Sequence, residues 1–207
     1  MRYGMVIDTN RCIGCQACTV ACKSKNNLPD TMWWSRVDCV GGDFYDTPRG
    51  TFESGLSMHY VPVTCQHCSM PACMGVCPTG AIIKRDDGIV EQDSEACIGC
   101  DLCTAACPYS VRTLNSEEPE FFVDFPLGDW DAPEHVPNTV EKCSFCANRI
   151  ERGEKPACML LCPGRARFWG DLDDPTSEAS VYLAGKQASF LLEDKGTKPN
   201  CYYIGKL

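Results

Sequence analysis

Apolar residues along this chain fall in short runs, far below the roughly 20 needed to cross a bilayer. Gly4–Ile7 reads as a strand leading to Cys12. Pro78-Thr79-Gly80 opens onto Ala81-Ile82-Ile83, a second short strand. Asp86-Asp87-Gly88 is a hairpin turn signal, and Ile89-Val90 begins the return strand. Ala166–Gly170 predicts a strand leading out of Cys162, with Gly4–Ile7 as its partner. Beyond Gly170 the chain is polar. One helix is predicted over Glu178–Leu192, and Cys201-Tyr202-Tyr203-Ile204 suits a short docked strand. Two long connections remain. Residues 23–64 hold Trp33-Trp34 and a Gly41-Gly42 turn; residues 109–142 hold an acidic, proline-rich stretch from Glu117 to Pro137. Connections this long carry function or wrap a partner, and Trp33-Trp34 suits packing or an interface equally.

Composition changes the picture in one respect. Eighteen of 207 residues are cysteine, enough for cysteine chemistry to dictate the fold. The N-terminus lacks a charged region followed by an apolar one and lacks a twin-arginine pair, so the expectation is a soluble chain with no export signal of its own. Thiols then stay reduced, which argues against a disulfide framework. The net charge of −9 argues against a general nucleic-acid binder.

Spacing says more. Sixteen cysteines form four sets: Cys12, Cys15, Cys18 and Cys22; Cys65, Cys68, Cys73 and Cys77; Cys97, Cys100, Cys103 and Cys107; and Cys143, Cys146, Cys158 and Cys162. Proline follows the last cysteine of the second, third and fourth sets. C-x2-C-x2-C-x3-C-P is the bacterial ferredoxin pattern. Three thiolates at three-residue spacing wrap one iron–sulfur cube, while the fourth, a turn further on, points to another. Four sets in two crossed pairs give four [4Fe–4S] clusters. A single tetrahedral zinc ion needs no run of three evenly spaced cysteines, so a zinc scaffold is the weaker alternative. Cys39 and Cys201 are left as isolated buried thiols.

The chain thus reads as an α+β protein of two interleaved bacterial-ferredoxin-like units, a pseudo-two-fold duplication with one half inserted in the other. Residues 1–22 and 138–170 form the split unit, and 61–112 the inserted one. Residues 23–60 and 113–137 are partner-contacting loops, and 171–207 a C-terminal tail. A chain of this length has a radius of gyration of about 17 Å, so four clusters would be near neighbours and act as a wire. Each oxidised cluster with its thiolates adds about −2, taking the protein to about −17. Basic residues beside the ligands are Arg11, Lys23, Lys84, Arg85, Arg112, Lys142, Arg149, Arg165 and Arg167; most are expected to be solvated surface charge. His67 lies among ligands, but with four cysteines in its set it is structural or supports them, since a Rieske centre replaces two. No Walker loop or G-x-G-x-x-G is present, and the chain alone is not expected to be an enzyme.

The four-set order resembles the four-cluster iron–sulfur subunit of the DMSO reductase family of molybdenum and tungsten enzymes. The segments that carry the resemblance are the second set, the long fourth set from Cys143 to Pro163, Gly4 to Cys15, and Gly170-Asp171-Leu172-Asp173-Asp174-Pro175. It covers nearly the whole chain. It implies that one cluster is held by Cys12, Cys15, Cys18 and Cys162, and a second by Cys143, Cys146, Cys158 and Cys22. A third is held by Cys65, Cys68, Cys73 and Cys107, and the fourth by Cys97, Cys100, Cys103 and Cys77. Some relatives carry tryptophan in the third set and a three-iron cluster; Cys100 and its neighbours imply four-iron clusters throughout. Lys23 follows Cys22 where a proline is the pattern, without consequence for ligation.

The implied partners are a large catalytic subunit with a bis-pterin molybdenum or tungsten cofactor and a membrane subunit that reacts with quinone. The half with the first and fourth sets is expected to face the former. Many such complexes are exported with the catalytic subunit's signal. The implied place is therefore membrane-associated through partners, on the cytoplasmic face or exported. A standalone polyferredoxin is the other alternative, and the long loops and tail weigh against it.

Overall fold

The computed structural model describes every residue except Gly41, Tyr45, Asp46, Ser116 and Glu117, with backbone alone for 42–44 and 47. The expected Gly41-Gly42 turn and the start of the acidic stretch at Glu117 therefore lie partly outside the described residues. In chain order the elements are β1 (Tyr3–Asp8), α1 (Ala17–Lys25), β2 (Ser35–Val40), β3 (Gly42–Phe44), β4 (Thr47–Pro48), β5 (His59–Thr64), α2 (Ala72–Gly75), β6 (Ile82–Lys84), β7 (Val90–Gln92), α3 (Leu102–Ala106), β8 (Arg112–Leu114), β9 (Val140–Lys142), α4 (Ala147–Glu151), α5 (Ala157–Leu160), β10 (Arg167–Asp171), α6 (Glu178–Leu183) and β11 (Cys201–Ile204). The protein is a mixed α/β fold of short helices and small sheets.

β1 is buried from Gly4 to Asp8, as a central strand covered on both faces must be. It pairs antiparallel with β10, placing Met5 opposite Trp169 and Ile7 opposite Arg167. On its other edge β11 runs parallel, with Met5 opposite Cys201 and Ile7 opposite Tyr203. Gly4 is required: a Cβ there would collide with the Leu172 side chain and the Asn200 carbonyl. The hairpin expected around Asp86-Asp87-Gly88 forms between β6 and β7. Asp87 Oδ1 accepts from Ile89 N at 3.0 Å, and Gly88 supplies φ +86°. β8 and β9 pair across residues 115–139.

Two expectations change. The stretch 23–64 contains regular structure, since β2 pairs with β5 over six residue pairs and buries Val37, Val61 and Val63. The helix expected over Glu178–Leu192 stops at Leu183. Ser177 caps its start, accepting from Ser180 N at 3.2 Å. Ala184 leaves helical geometry and Gly185 turns left-handed at φ +71°. Ser189 then exchanges backbone hydrogen bonds with Tyr203 at 2.8 and 2.9 Å, a pairing that a continued helix would forbid.

One apolar core joins distant parts of the chain: Met5, Ile7, Val61, Val63, Ile89, Val111, Phe145 and Tyr203 pack with Cys65, Cys68 and Cys201. Each such side chain contributes about 1.5–3 kcal/mol on burial. The tail is zipped onto the segment around the second cysteine set. Ser69 N donates to Lys198 O (2.7 Å), Met70 N to Thr197 O (2.9 Å) and Asn200 N to Gln66 O (2.9 Å).

Candidate functional site

The sixteen cysteines sit on short helices and the loops on either side of them, and the backbone there is bent in a repeated way. Gly14 and Gly99 adopt φ +69° and +65°; Gln16 and Asp101 adopt +60° and +61° immediately before α1 and α3. Left-handed residues turn the chain so that neighbouring thiols face one point.

Four cavities each take four cysteines. The first is lined by Cys12, Cys15, Cys18 and Cys162 with Ile13, Val37 and Pro62. The second has Cys22, Cys143, Cys146 and Cys158 with Met5, Trp34 and Phe145. The third has Cys65, Cys68, Cys73 and Cys107 with Val90, Tyr109 and Val111. The fourth has Cys77, Cys97, Cys100 and Cys103 with Ile98 and Val140. In every cavity three cysteines come from one set and the fourth from another. Among the described residues no three His, Cys, Asp or Glu side chains converge to hold a single metal ion.

Electrostatics follow the same grouping. Burial pushes the Cys22 thiol well above its ordinary range, and Cys143, Cys146 and Cys158 push it further. Burial raises Cys68 to about 11, reinforced by Cys65, Cys73 and Cys107. Cys146 rises to about 12 and Cys158 to about 11, again chiefly by burial. Cys12 is raised by burial, then by Cys18 and Cys162. Cys77 is the exception. Burial would raise it, but the Thr79 hydroxyl and the N–H groups of Thr79, Gly80 and Ala81 together outweigh this and hold it below the ordinary range. Four thiols in one apolar pocket become thiolates together only when a cationic centre joins them, so metal loading releases protons. The donor set is all sulfur, which suits iron–sulfur clusters.

The cavities follow one another in that order. Cys18 and Cys158 interact between the first and second, and Cys65 and Cys143 between the second and third. Cys73 of the third packs in one apolar cluster with Cys77, Cys97 and Cys103 of the fourth. Only Cys15 and Cys100 among the sixteen are exposed, one at each end of the line.

Supporting groups were only partly visible in the sequence. Arg112, Lys142, Arg149 and Arg167 are buried rather than solvated. Arg11 and Arg165 are exposed, while Lys23, Lys84 and Arg85 are half-buried. Lys23 anchors the next loop: its Nζ donates to Pro29 O (2.6 Å) and Asp30 O (2.9 Å) and lies 4.5 Å over the Trp33 ring. Trp34 is buried against the second cavity, whereas Trp33 is 46% exposed. His67 is fully buried and structural. Its Nδ1 accepts from Val90 N at 3.0 Å, its ring meets Phe145 edge-on, and burial with Lys142 keeps it neutral. Asn26, unflagged by any motif, sits four residues after Cys22 on the same helical face and donates to its sulfur at 3.5 Å. Phe145 N and Ala166 N donate to Cys143 and Cys162 sulfurs at 3.3 and 3.4 Å. Cys201 is buried beside Cys65, as expected, but Cys39 is only half-buried, on β2.

A 4Fe-4S dicluster domain model matches residues 56–122 and 130–172, and a 4Fe-4S binding domain model matches residues 3–24. A Halobacterium salinarum protein provisionally named as a dimethyl sulfoxide reductase iron-sulfur subunit is 48% identical, over 98% of this chain and 78% of its own length. The arsenate respiratory reductase iron-sulfur subunit of a Shewanella species is 36% identical, over 99% and 96%. A polysulfide reductase polypeptide of Wolinella succinogenes is 37% identical, over 98% and 94%.

Proposed function

This chain belongs to the iron–sulfur electron-transfer subunits of the DMSO reductase family of molybdenum oxidoreductases, and on that footing we propose that each of its four cavities holds one [4Fe–4S] cluster in a single wire. That it carries [4Fe–4S] clusters and transfers electrons, without being the catalytic subunit, follows from the family. The number of clusters and their ligands are the proposal. Cys12, Cys15, Cys18 and Cys162 hold the first; Cys22, Cys143, Cys146 and Cys158 the second; Cys65, Cys68, Cys73 and Cys107 the third; and Cys77, Cys97, Cys100 and Cys103 the fourth. The observation that carries it is the four-cysteine lining of every cavity, three from one set and one from another.

When bound, each cluster accepts or gives up one electron at a potential set by its charge, hydrogen bonds and exposure. The chain's own part is to hold the thiolates, exclude water and supply charge. Apolar walls keep the second and third sites dry, with Cys22, Cys146, Cys65 and Cys68 all buried. Backbone N–H groups on Cys143 and Cys162 stabilise the more reduced state. The exposed Cys15 and Cys100 put the two ends of the line at the surface, each beside exposed apolar residues: Ile13 at one end, Ile98 and Leu102 at the other. Such ends suit protein partners.

The repeated left-handed geometry at Gly14–Gln16 and Gly99–Asp101 favours two ferredoxin-like units, 1–22 with 138–170 and 61–112, one inserted in the other. The partners are proposed to be a large molybdopterin catalytic subunit and a membrane subunit that exchanges electrons with quinone. Residues 23–60, which carry β2, and the loop 113–137 serve as partner contacts, Phe122 and Trp130 standing 86% exposed on the second. Among the described residues no helix is long and apolar enough to cross a membrane. Anaerobic purification should give about sixteen iron and sixteen sulfide per chain, together with a large molybdenum protein. Zinc in place of iron sinks the cluster reading, and a chain that purifies alone with full iron favours a free polyferredoxin.

A further inference from the structure

Arg167 is the first residue of β10, five positions after Cys162, and is 2% exposed. It lines both the first and the second cavity, and no other basic residue lines both. Its Nη1 lies 3.4 Å from the Met5 sulfur and 3.8 Å from the Cys158 sulfur, while its buried Nη2 has no partner. Among the described residues no carboxylate pairs with it; the groups it interacts with are the sulfurs of Cys18 and Cys158 and the ring hydroxyl of Tyr203. A buried guanidinium without a counter-charge is costly, so its surroundings must become anionic in the working protein. Two neighbouring clusters, each with a net negative charge, do that and also repel one another across this side chain.

We propose that Arg167 is a positioning residue shared by the first and second clusters, its charge and N–H donors raising both reduction potentials together. This rests on the four-cluster reading above. A positive charge favours the state with the added electron, and in a dry site it acts with little screening. The other half of the chain is built differently. Arg112 also lies five positions after its cysteine, Cys107, and opens β8, but it lines the third cavity alone. Its Nη2 donates to Gln92, and its buried Nε and Nη1 have no partner. Gln92, not the arginine, reaches the fourth cavity. The first two clusters are therefore coupled to one cation and the last two are not.

The test uses the full chain purified with its partners, comparing wild type, Arg167→Gln, Arg167→Lys and Arg112→Gln. Iron content is measured, and each potential is followed by EPR during redox titration. R167Q is expected to lower the reduction equilibrium of the first and second clusters about tenfold or more, about 59 mV for a one-electron step, leaving the third and fourth unmoved. R112Q should shift the third alone. R167K, which keeps the charge, should hold both potentials within about threefold of wild type, about 28 mV. It carries the test should R167Q fail to load its clusters. Full iron in R167Q with neither or only one of the first two potentials moved overturns the shared role; so does an R167K protein shifted as far as R167Q is expected to be. A wild-type protein short of four clusters overturns the cluster reading instead.

Discussion

Tyr203 donates its phenolic hydrogen to the carbonyl of Pro62 at 2.9 Å, tying the last strand to β5 across 141 positions of sequence. The same oxygen accepts from Gln66 Nε2 at 3.3 Å, and the residue is fully buried. Tyr203→Phe removes the donor to the Pro62 carbonyl, while Gln66 Nε2 keeps its bond to Thr64 O at 2.8 Å, and should cost about 1–3 kcal/mol. Chemical unfolding of the loaded protein, followed by its visible absorbance, measures this. An unchanged midpoint would show that the tail is not a structural staple.

The proposed crossed ligation makes a directional prediction. Cys162→Ser should damage the cluster held by Cys12, Cys15 and Cys18, and spare the one held by Cys143, Cys146 and Cys158, although Cys162 is close to the latter in sequence. EPR should show one signal of four altered. Loss of the second cluster's signal instead would disprove the crossed assignment.

His135 predicts a pH dependence near neutrality. It is buried, with Nδ1 2.7 Å from Glu141 Oε2 and Nε2 2.8 Å from Asn26 O. Burial lowers its pKa, but Glu141 and the Asn26 carbonyl outweigh this and hold it above the ordinary 6.5. With the folded value raised, the stabilisation is complete below about pH 6.5 and is lost as pH rises through the folded value. Hydrogen-exchange protection across residues 131–141, taken relative to the intrinsic base-catalysed rate, should fall as pH rises above about 6.5. His135→Gln should abolish that dependence and cost about 2 kcal/mol.

Asp129 fixes the exposed aromatic segment. Its carboxylate pairs with Arg149, Lys25 and Arg152, and its backbone N–H donates to Lys25 O at 2.9 Å. Burial would raise its pKa, but Arg149 and Lys25 hold it below 3.8. The contribution is present above about pH 4 and lost as pH falls through the folded value. Asp129→Asn leaves the buried Arg149 short of charge and should cost about 3 kcal/mol. Limited proteolysis should then cut residues 118–137 faster; equal rates would argue that backbone contacts alone hold the segment.

The sequence reveals what is set over short distances. Cysteine spacing and the Asp86-Asp87-Gly88 hairpin follow from local chemistry, whereas the β1–β10 pairing is long-range and is suggested only by the apolar runs that flank Cys12 and Cys162. β2 and β5 are less visible, because Val37 finds Val61 and Val63 only after a long excursion, so the stretch reads as a loop. The burial of Arg112 and Arg167 is equally hidden. A basic residue beside a cysteine set is ordinarily solvated, and only the closing of β8 on β9 and of β10 on β1 takes these two inside. The Glu178 helix overruns in prediction because Gly185 in a polar tail gives no sign that Ser189 will pair with Tyr203.

The position of β1 between β10 and β11 sets a timetable. β1 leaves the ribosome first and waits without a neighbour until residues 167–171 and then 201–204 are made. The inner two cysteine sets are complete by Cys107, long before the outer sets can close through Cys162. The proposed inner sites can therefore close in a shorter stretch of chain than the outer ones. Until β10 and β11 are made, β1 is a strand with two open edges, the kind of surface prone to aggregation.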